Sequence, residues 1–118
     1  MKDIISFEDF LKVDIRVGQV TLAEVVPKSK MLKLQVDLGA ELGTRTILAS
    51  IAGTEPEITA TRYSLEQPKV LVVVNFAPRT MKGIESQGML LAGLNDWEIP
   101  GVELASINKS VPNGSEVG

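Results

Sequence analysis

The chain contains no cysteine and no histidine. The first absence excludes disulfides and thiolate metal sites. The second removes imidazole acid–base chemistry and the commonest metal ligand together. No apolar run approaches the ~20 residues that span a bilayer, and Met1-Lys-Asp-Ile-Ile lacks the apolar core of a signal peptide. A cytoplasmic protein with no membrane contact is the expectation. A net positive charge is also missing: the chain carries −3, whereas nucleic-acid binders are usually basic. The charge is uneven, however. From Leu94 onward Asp96, Glu98, Glu103 and Glu116 face only Lys109, which equals the whole deficit. Lys28, Lys30 and Lys33 lie in one acid-free stretch, and Lys69, Arg79 and Lys82 in another. Screening within about 10 Å at 0.1 M salt lets such patches act independently of a distant acidic tail.

What is present is a chain of 118 residues, 44% of them hydrophobic. That length suits one domain, which can bury a core unaided. Ser6 precedes Phe7-Glu8-Asp9-Phe10-Leu11, so a short N-terminal helix capped by Ser6 is predicted, with Asp9 in a capping-box-like position. Its apolar face, Phe7, Phe10 and Leu11, is read as a lid over the open end of a barrel, with a dimer contact as the alternative. Val13–Val25 is mostly apolar or β-branched, and Gly18 marks an expected bulge or bend. Met31–Leu38 alternates strictly, with Leu32, Leu34, Val36 and Leu38 on a buried face and Lys33 on the wet face. Arg45–Ile51, Val70–Phe76 and Gly88–Ala92 complete five strands. Residues 53–68 read as a long excursion containing a possible helical turn. Asn95-Asp96-Trp97 and Pro100-Gly101 mark turns, Val102, Leu104 and Ile107 suggest further extended structure, and 112–118 is expected to fray. Five short strands with a helical connection between the third and fourth outline an all-β, five-stranded OB-fold barrel.

The most informative stretch is Asn75–Met89, NFAPRTMKGIESQGM. It follows the apolar run Val70–Val74, and Gly83 and Gly88 permit tight loop geometry. Arg79 and Lys82 supply cations in a segment with no carboxylate between Gln67 and Ile84. A cationic, hydroxyl- and methionine-bearing loop at the rim of a small β-domain suits an anionic, stackable partner such as RNA. Composition alone leaves open an ordinary solvated hairpin.

The same stretch resembles the signature N-[LF]-x-P-R-x-[MIL]-x-G-x-x-S-x-G-M of the tRNA-binding domain family. That family includes free-standing tRNA-binding proteins, the C-terminal domain of many methionyl-tRNA synthetases, eukaryotic synthetase cofactor domains and the CsaA-type chaperone. Phe7–Val20 resembles the family's opening F-x-x-F-x-K-V-D-[IL]-R-V-G-x-[IV], and Pro27–Gly39 its second strand. The resemblance spans about residues 6–93 of a single domain, leaving 94–118 as a C-terminal extension. It implies an OB-fold and RNA contacts at Asn75, Arg79, Lys82, Ser86 and Met89. Lys33, outward-facing beside the groove, is a further candidate phosphate contact. Each has a bland alternative: a salt bridge to Glu85 for Arg79, turn closure for Ser86, core packing for Met89, loop support for Asn75. Arg16 and Asp14 are expected to pair with each other. Where the family has Gly-Lys, this chain has Gln67-Pro68-Lys69, so nothing is carried over there. The resemblance also implies a homodimer formed through the N-terminal segment and the C-terminal extension.

No acid pair or phosphate loop is recognisable, so neither an enzyme nor a cofactor is expected. Three functions remain: binding tRNA by shape, holding an unfolded polypeptide as a CsaA-type chaperone, or serving as an accessory to an aminoacyl-tRNA synthetase. Asn75-Phe-Ala-Pro-Arg79 leans toward the chaperone branch, and Ser86-Gln-Gly-Met89 toward the tRNA branch.

Overall fold

The computed structural model describes residues 1–94 and 102–118. The turns expected at Asn95–Trp97 and Pro100–Gly101 lie outside the described residues. In chain order the elements are α1 (Phe7–Phe10), β1 (Ile15–Val25), β2 (Leu32–Asp37), α2 (Gly39–Leu42), β3 (Thr44–Ala49), α3 (Pro56–Glu66) and β4 (Lys69–Val73). They continue with β5 (Arg79–Met81), β6 (Ile84–Ser86), β7 (Met89–Leu90), β8 (Ala92–Leu94), β9 (Val102–Leu104) and β10 (Glu116–Val117).

The main sheet runs β3-β2-β1-β4-β7, all antiparallel, with β10 added to β1. β1 is long enough to pair along different parts of its length with β4 and β2, so the sheet curls on itself. The alternation in β2 is fulfilled: Leu32, Leu34 and Val36 are fully buried, while Lys33, Gln35 and Asp37 are partly exposed. These side chains join Val20, Ile47, Val70 and Val72 in one core. Fully burying such a side chain contributes about 1.5–3 kcal/mol. Opposite the curl, β3 meets the 86–88 segment through Gln87 N–H donating to Thr46 O at 2.9 Å. The Leu48 N–H donates to Ser86 Oγ at 3.0 Å beside it. The architecture is the expected OB-type half-barrel, and among the described residues no helix is long and apolar enough to cross a membrane.

One local expectation is extended and three are corrected. The excursion at 53–68 holds a full three-turn helix, α3, which starts at Pro56 and ends where Gln67 adopts φ 48°. It packs on β1 through Ala60 and Tyr63, and the Ser64 hydroxyl bonds both Ala23 N–H and Ala23 O. The bulge in β1 falls between Val20 and Leu22 rather than at Gly18. Gly18 is instead a close-packing site, since a Cβ there would lie 2.6 Å from Val36 Cγ1. α1 is capped by Ser6 Oγ as expected, but no residue of it is buried, so it is not a lid.

The third correction concerns the tail. Residues 112–118 are docked, not frayed. Gly114 N–H donates to Val17 O at 2.7 Å and Val17 N–H to Ser115 O at 2.9 Å. Gly39 and Gly114, at φ 88° and 91°, meet face to face: a Cβ on Gly39 would lie 2.5 Å from Asn113 O, and one on Gly114 2.7 Å from Leu38 O. Lys69 is buried beneath the same segment and donates through Nζ to Val111 O at 2.9 Å and to Asn113 Oδ1. Arg16 adds a clamp. It donates to Asp14 at 2.7 Å and to Gly114 O at 3.2 Å, with Glu41 and Glu116 both at 3.4 Å. The hydrogen bond to Asp14, with the fields of the three carboxylates, raises the guanidinium pKa above its ordinary value against opposing desolvation.

Candidate functional site

The Asn75–Met89 stretch folds as a hairpin standing on the barrel edge. β5 and β6 pair in the register Arg79↔Ser86, Thr80↔Glu85 and Met81↔Ile84. The two-residue connection Lys82-Gly83 has positive φ at both positions, 53° and 74°, which is the twist-matched turn that favours tight hairpins. Lys82 is thereby held at the hairpin tip in a conformation that side-chain-bearing residues adopt reluctantly.

Because strand neighbours alternate faces, Arg79 and Met81 share one face of the hairpin with Ser86 and Ile84. Thr80 and Glu85 take the other. The salt bridge of Arg79 with Glu85 therefore does not form. None of the ion pairs among the described residues involves Arg79 or Lys82.

Between hairpin and barrel lies a recess of about 140 Å³, lined by Leu48, Phe76, Ala77, Arg79, Met81, Ser86, Gly88 and Met89. It unites three of the expected residues, Arg79, Ser86 and Met89. Met89 and Phe76 are about half exposed, at 44% and 51%, so Met89 is not a core side chain. Ser86 is different. Only 5% exposed, its oxygen accepts from Leu48 N–H at 3.0 Å and can donate to Gly88 O at 3.4 Å. That hydroxyl is spent on joining hairpin to barrel.

Lys33 lies on the adjoining sheet surface. It stands opposite Leu48 on β3 and Glu24 on β1 in register, and directly opposed residues share a face. Lys33 thus continues the wall formed by Leu48, although its Nζ is 4.0 Å from Glu24 Oε1. Asn75 points elsewhere: its Oδ1 accepts from Asp14 N–H at 2.9 Å and its Nδ2 donates to Lys12 O. It anchors the N-terminal segment rather than lining the recess.

Two contributors escaped the sequence reading. Phe76 lines the recess, and its place in the N-F-x-P-R run was the available signal. Arg45 supports the loop from below, donating to Val74 O at 2.7 Å and Gln87 O at 3.3 Å. A second, larger recess of about 660 Å³ lies between Phe10–Ile15 and Glu116–Gly118. Beside it the N-terminal arm exposes Ile4, Phe7 and Leu11. Among the described residues no group of three or more acids gathers as a metal site.

A curled barrel with a cationic hairpin and a half-open aromatic and thioether recess is an OB-type binding domain. Residues 15–116 match the family model described as "Putative tRNA binding domain", and the chain belongs to that family. It is 48% identical, over 96 residues covering 80% of the chain, to the methionine–tRNA ligase of Methanococcoides burtonii. The matched part is 13% of that relative, so the chain spans only a small share of the length of the curated relatives it matches. Among solved structures it is similar to a MetRS-related protein from Pyrococcus horikoshii, with 34% identity, a TM-score of 0.80, and coverage of 99% of this chain and 100% of that one. It is also similar to the chaperone CsaA of Bacillus anthracis, with 33% identity, a TM-score of 0.78, and coverage of 98% and 100%.

Proposed function

We propose that this protein binds tRNA by shape and backbone contacts, without catalysis, as a homodimer in the cytoplasm. The observation that carries the reading is the placement of Arg79 and Lys82 on one hairpin, outside every described ion pair, beside exposed Phe76 and Met89. Phosphate contacts supply affinity and unstacked bases supply π-faces. Lys33 extends the cationic surface; Ser86 acts by holding the hairpin to the barrel and Asn75 by anchoring the N-terminal segment. The dimer reading is supported by the exposed arm Ile4–Leu11 beside the recess that β10 borders.

The test is a filter-binding titration with bulk tRNA at several salt concentrations. Affinity should fall with salt, and Arg79→Ala or Lys82→Ala should each weaken binding and flatten the log–log slope by roughly one unit. A double variant that binds as the parent does, with the same slope, removes the hairpin as the site. Static light scattering at micromolar concentration should return twice the chain mass, and a monomeric mass would refute the dimer.

A second reading, holding of unfolded polypeptide, is favoured by the exposed apolar arm and the CsaA likeness. It replaces the first if the parent retains unfolded polypeptide and binds no tRNA. The synthetase likeness raises a third partner, a methionyl-tRNA synthetase that this domain would serve in trans; co-sedimentation tests it.

A further inference from the structure

We propose that the recess beside Phe76 captures a single unstacked base of RNA by its π-face, without reading which base it is. This deepens the RNA-binding reading and rests on it.

Three observations lead there. The first is size. About 140 Å³ is well below the roughly 300–1,000 Å³ of drug-sized ligand sites. It is close to the roughly 150 Å³ cavity that accommodates a benzene ring. A recess of that size, open on one side, seats the face of one planar base, and a folded ligand does not fit.

The second is the chemistry of the lining. Phe76, Met81 and Met89 present one aromatic ring and two thioethers, the polarizable surfaces that pack best on aromatic faces. Phe76 stays half exposed although the core is close by. It lies in the short connection between the end of β4 at Val73 and the start of β5 at Arg79, where Pro78 restricts the backbone of Ala77. A ring displayed to solvent at that edge is available for stacking.

The third is what the lining lacks. Ser86 and Arg79 are its only polar side chains. The Ser86 hydroxyl proton is directed to Gly88 O while its oxygen accepts from Leu48 N–H, so the lining offers no free neutral side-chain donor to read a base edge. Arg79 lines the recess and Lys82 stands at the tip of the same hairpin, so two cations are on hand for the phosphates flanking an inserted base. That rim favours a polyanion over an unfolded polypeptide of mixed charge. Stacking from one side and phosphate neutralisation from the other give binding that tolerates any base.

The experiment uses the full chain and a single-stranded RNA decamer carrying 2-aminopurine, beside bulk tRNA. The parent should change the 2-aminopurine fluorescence saturably. Phe76→Ala and the apolar Phe76→Leu should each lose about tenfold to a hundredfold in affinity at an unchanged salt slope, while Phe76→Trp keeps parental binding. Phe76→Leu keeps apolar bulk, so its loss reports the ring and not the fold; unchanged thermal melting of each variant confirms this. Homopolymers of A, U and C should bind within about tenfold of one another, and a hundredfold preference for one overturns the identity-blind recess. If Arg79→Ala and Lys82→Ala flatten the salt slope but Phe76→Ala and Phe76→Leu bind as the parent does, the base recess is refuted and the RNA reading stands. If the parent binds no RNA, both fall. Phe76-dependent binding of unfolded polypeptide would then make the recess a peptide pocket.

Discussion

Gly114→Ala isolates the contact that docks the C-terminal tail. The added Cβ would sit 2.7 Å from Leu38 O, a backbone atom that cannot rotate away, at a residue with φ 91°. Positive φ costs an L-residue about 1–2 kcal/mol, and overpacking against fixed atoms about 1–3 kcal/mol. The lower entropy of the unfolded alanine chain returns about 0.4–1 kcal/mol. The net loss is about 1–4.6 kcal/mol, with a middle value of about 3 kcal/mol, which at an m-value of about 2 kcal/mol/M moves a urea midpoint by roughly 0.5–2.3 M. Gly83→Ala is the control. Its φ of 74° is comparable but nothing lies within 4 Å of the added atom, so it should lose only about 1 kcal/mol. Urea unfolding measures both. Amide exchange at Val17 and Gly114, which pair with the tail and with β1, reports whether the loss is local undocking or global unfolding. A Gly114→Ala protein within about 0.5 kcal/mol of Gly83→Ala, with parental protection at those amides, would refute the face-to-face glycine contact.

Ser86→Ala leaves the buried Leu48 N–H without its acceptor, so stability should fall by about 1–3 kcal/mol. An unchanged unfolding midpoint would show that the hydroxyl does not bridge hairpin and barrel. In the tRNA titration the same variant should leave the salt slope unaltered, since a neutral group releases no counterion. Lys82→Asn replaces a residue reluctant at φ 53° with one that tolerates it. It should raise stability by a few tenths of a kcal/mol to about 1 kcal/mol while weakening tRNA binding, a trade of stability against function. A loss of stability would contradict the assigned turn.

Local regularities were legible because they depend on near neighbours. The alternation from Leu32 to Leu38 predicted a half-wet strand with Lys33 outward, and two-residue periodicity needs only the pleat. Ser6 three residues before Asp9 predicted the cap that forms. The order of five strands with a helix before the fourth, together with the N-F-x-P-R and S-x-G-M runs, pointed to the barrel and to the edge where Arg79, Ser86 and Met89 converge.

What only the folded chain decided depends on residues distant in sequence. That the Ser86 hydroxyl bonds to protein backbone hangs on Leu48 arriving across the barrel with an N–H to donate. Whether Arg79 meets Glu85 hangs on hairpin register, where one step sends the carboxylate to the opposite face. Asn75 turned out to hold Lys12 and Asp14. The tail, polar and glycine-bearing, has the composition of a fraying end; Gly39, Val17 and Lys69 hold it in place. Composition sets what a segment can do alone, and the closing of a curled sheet sets which distant backbone groups it meets.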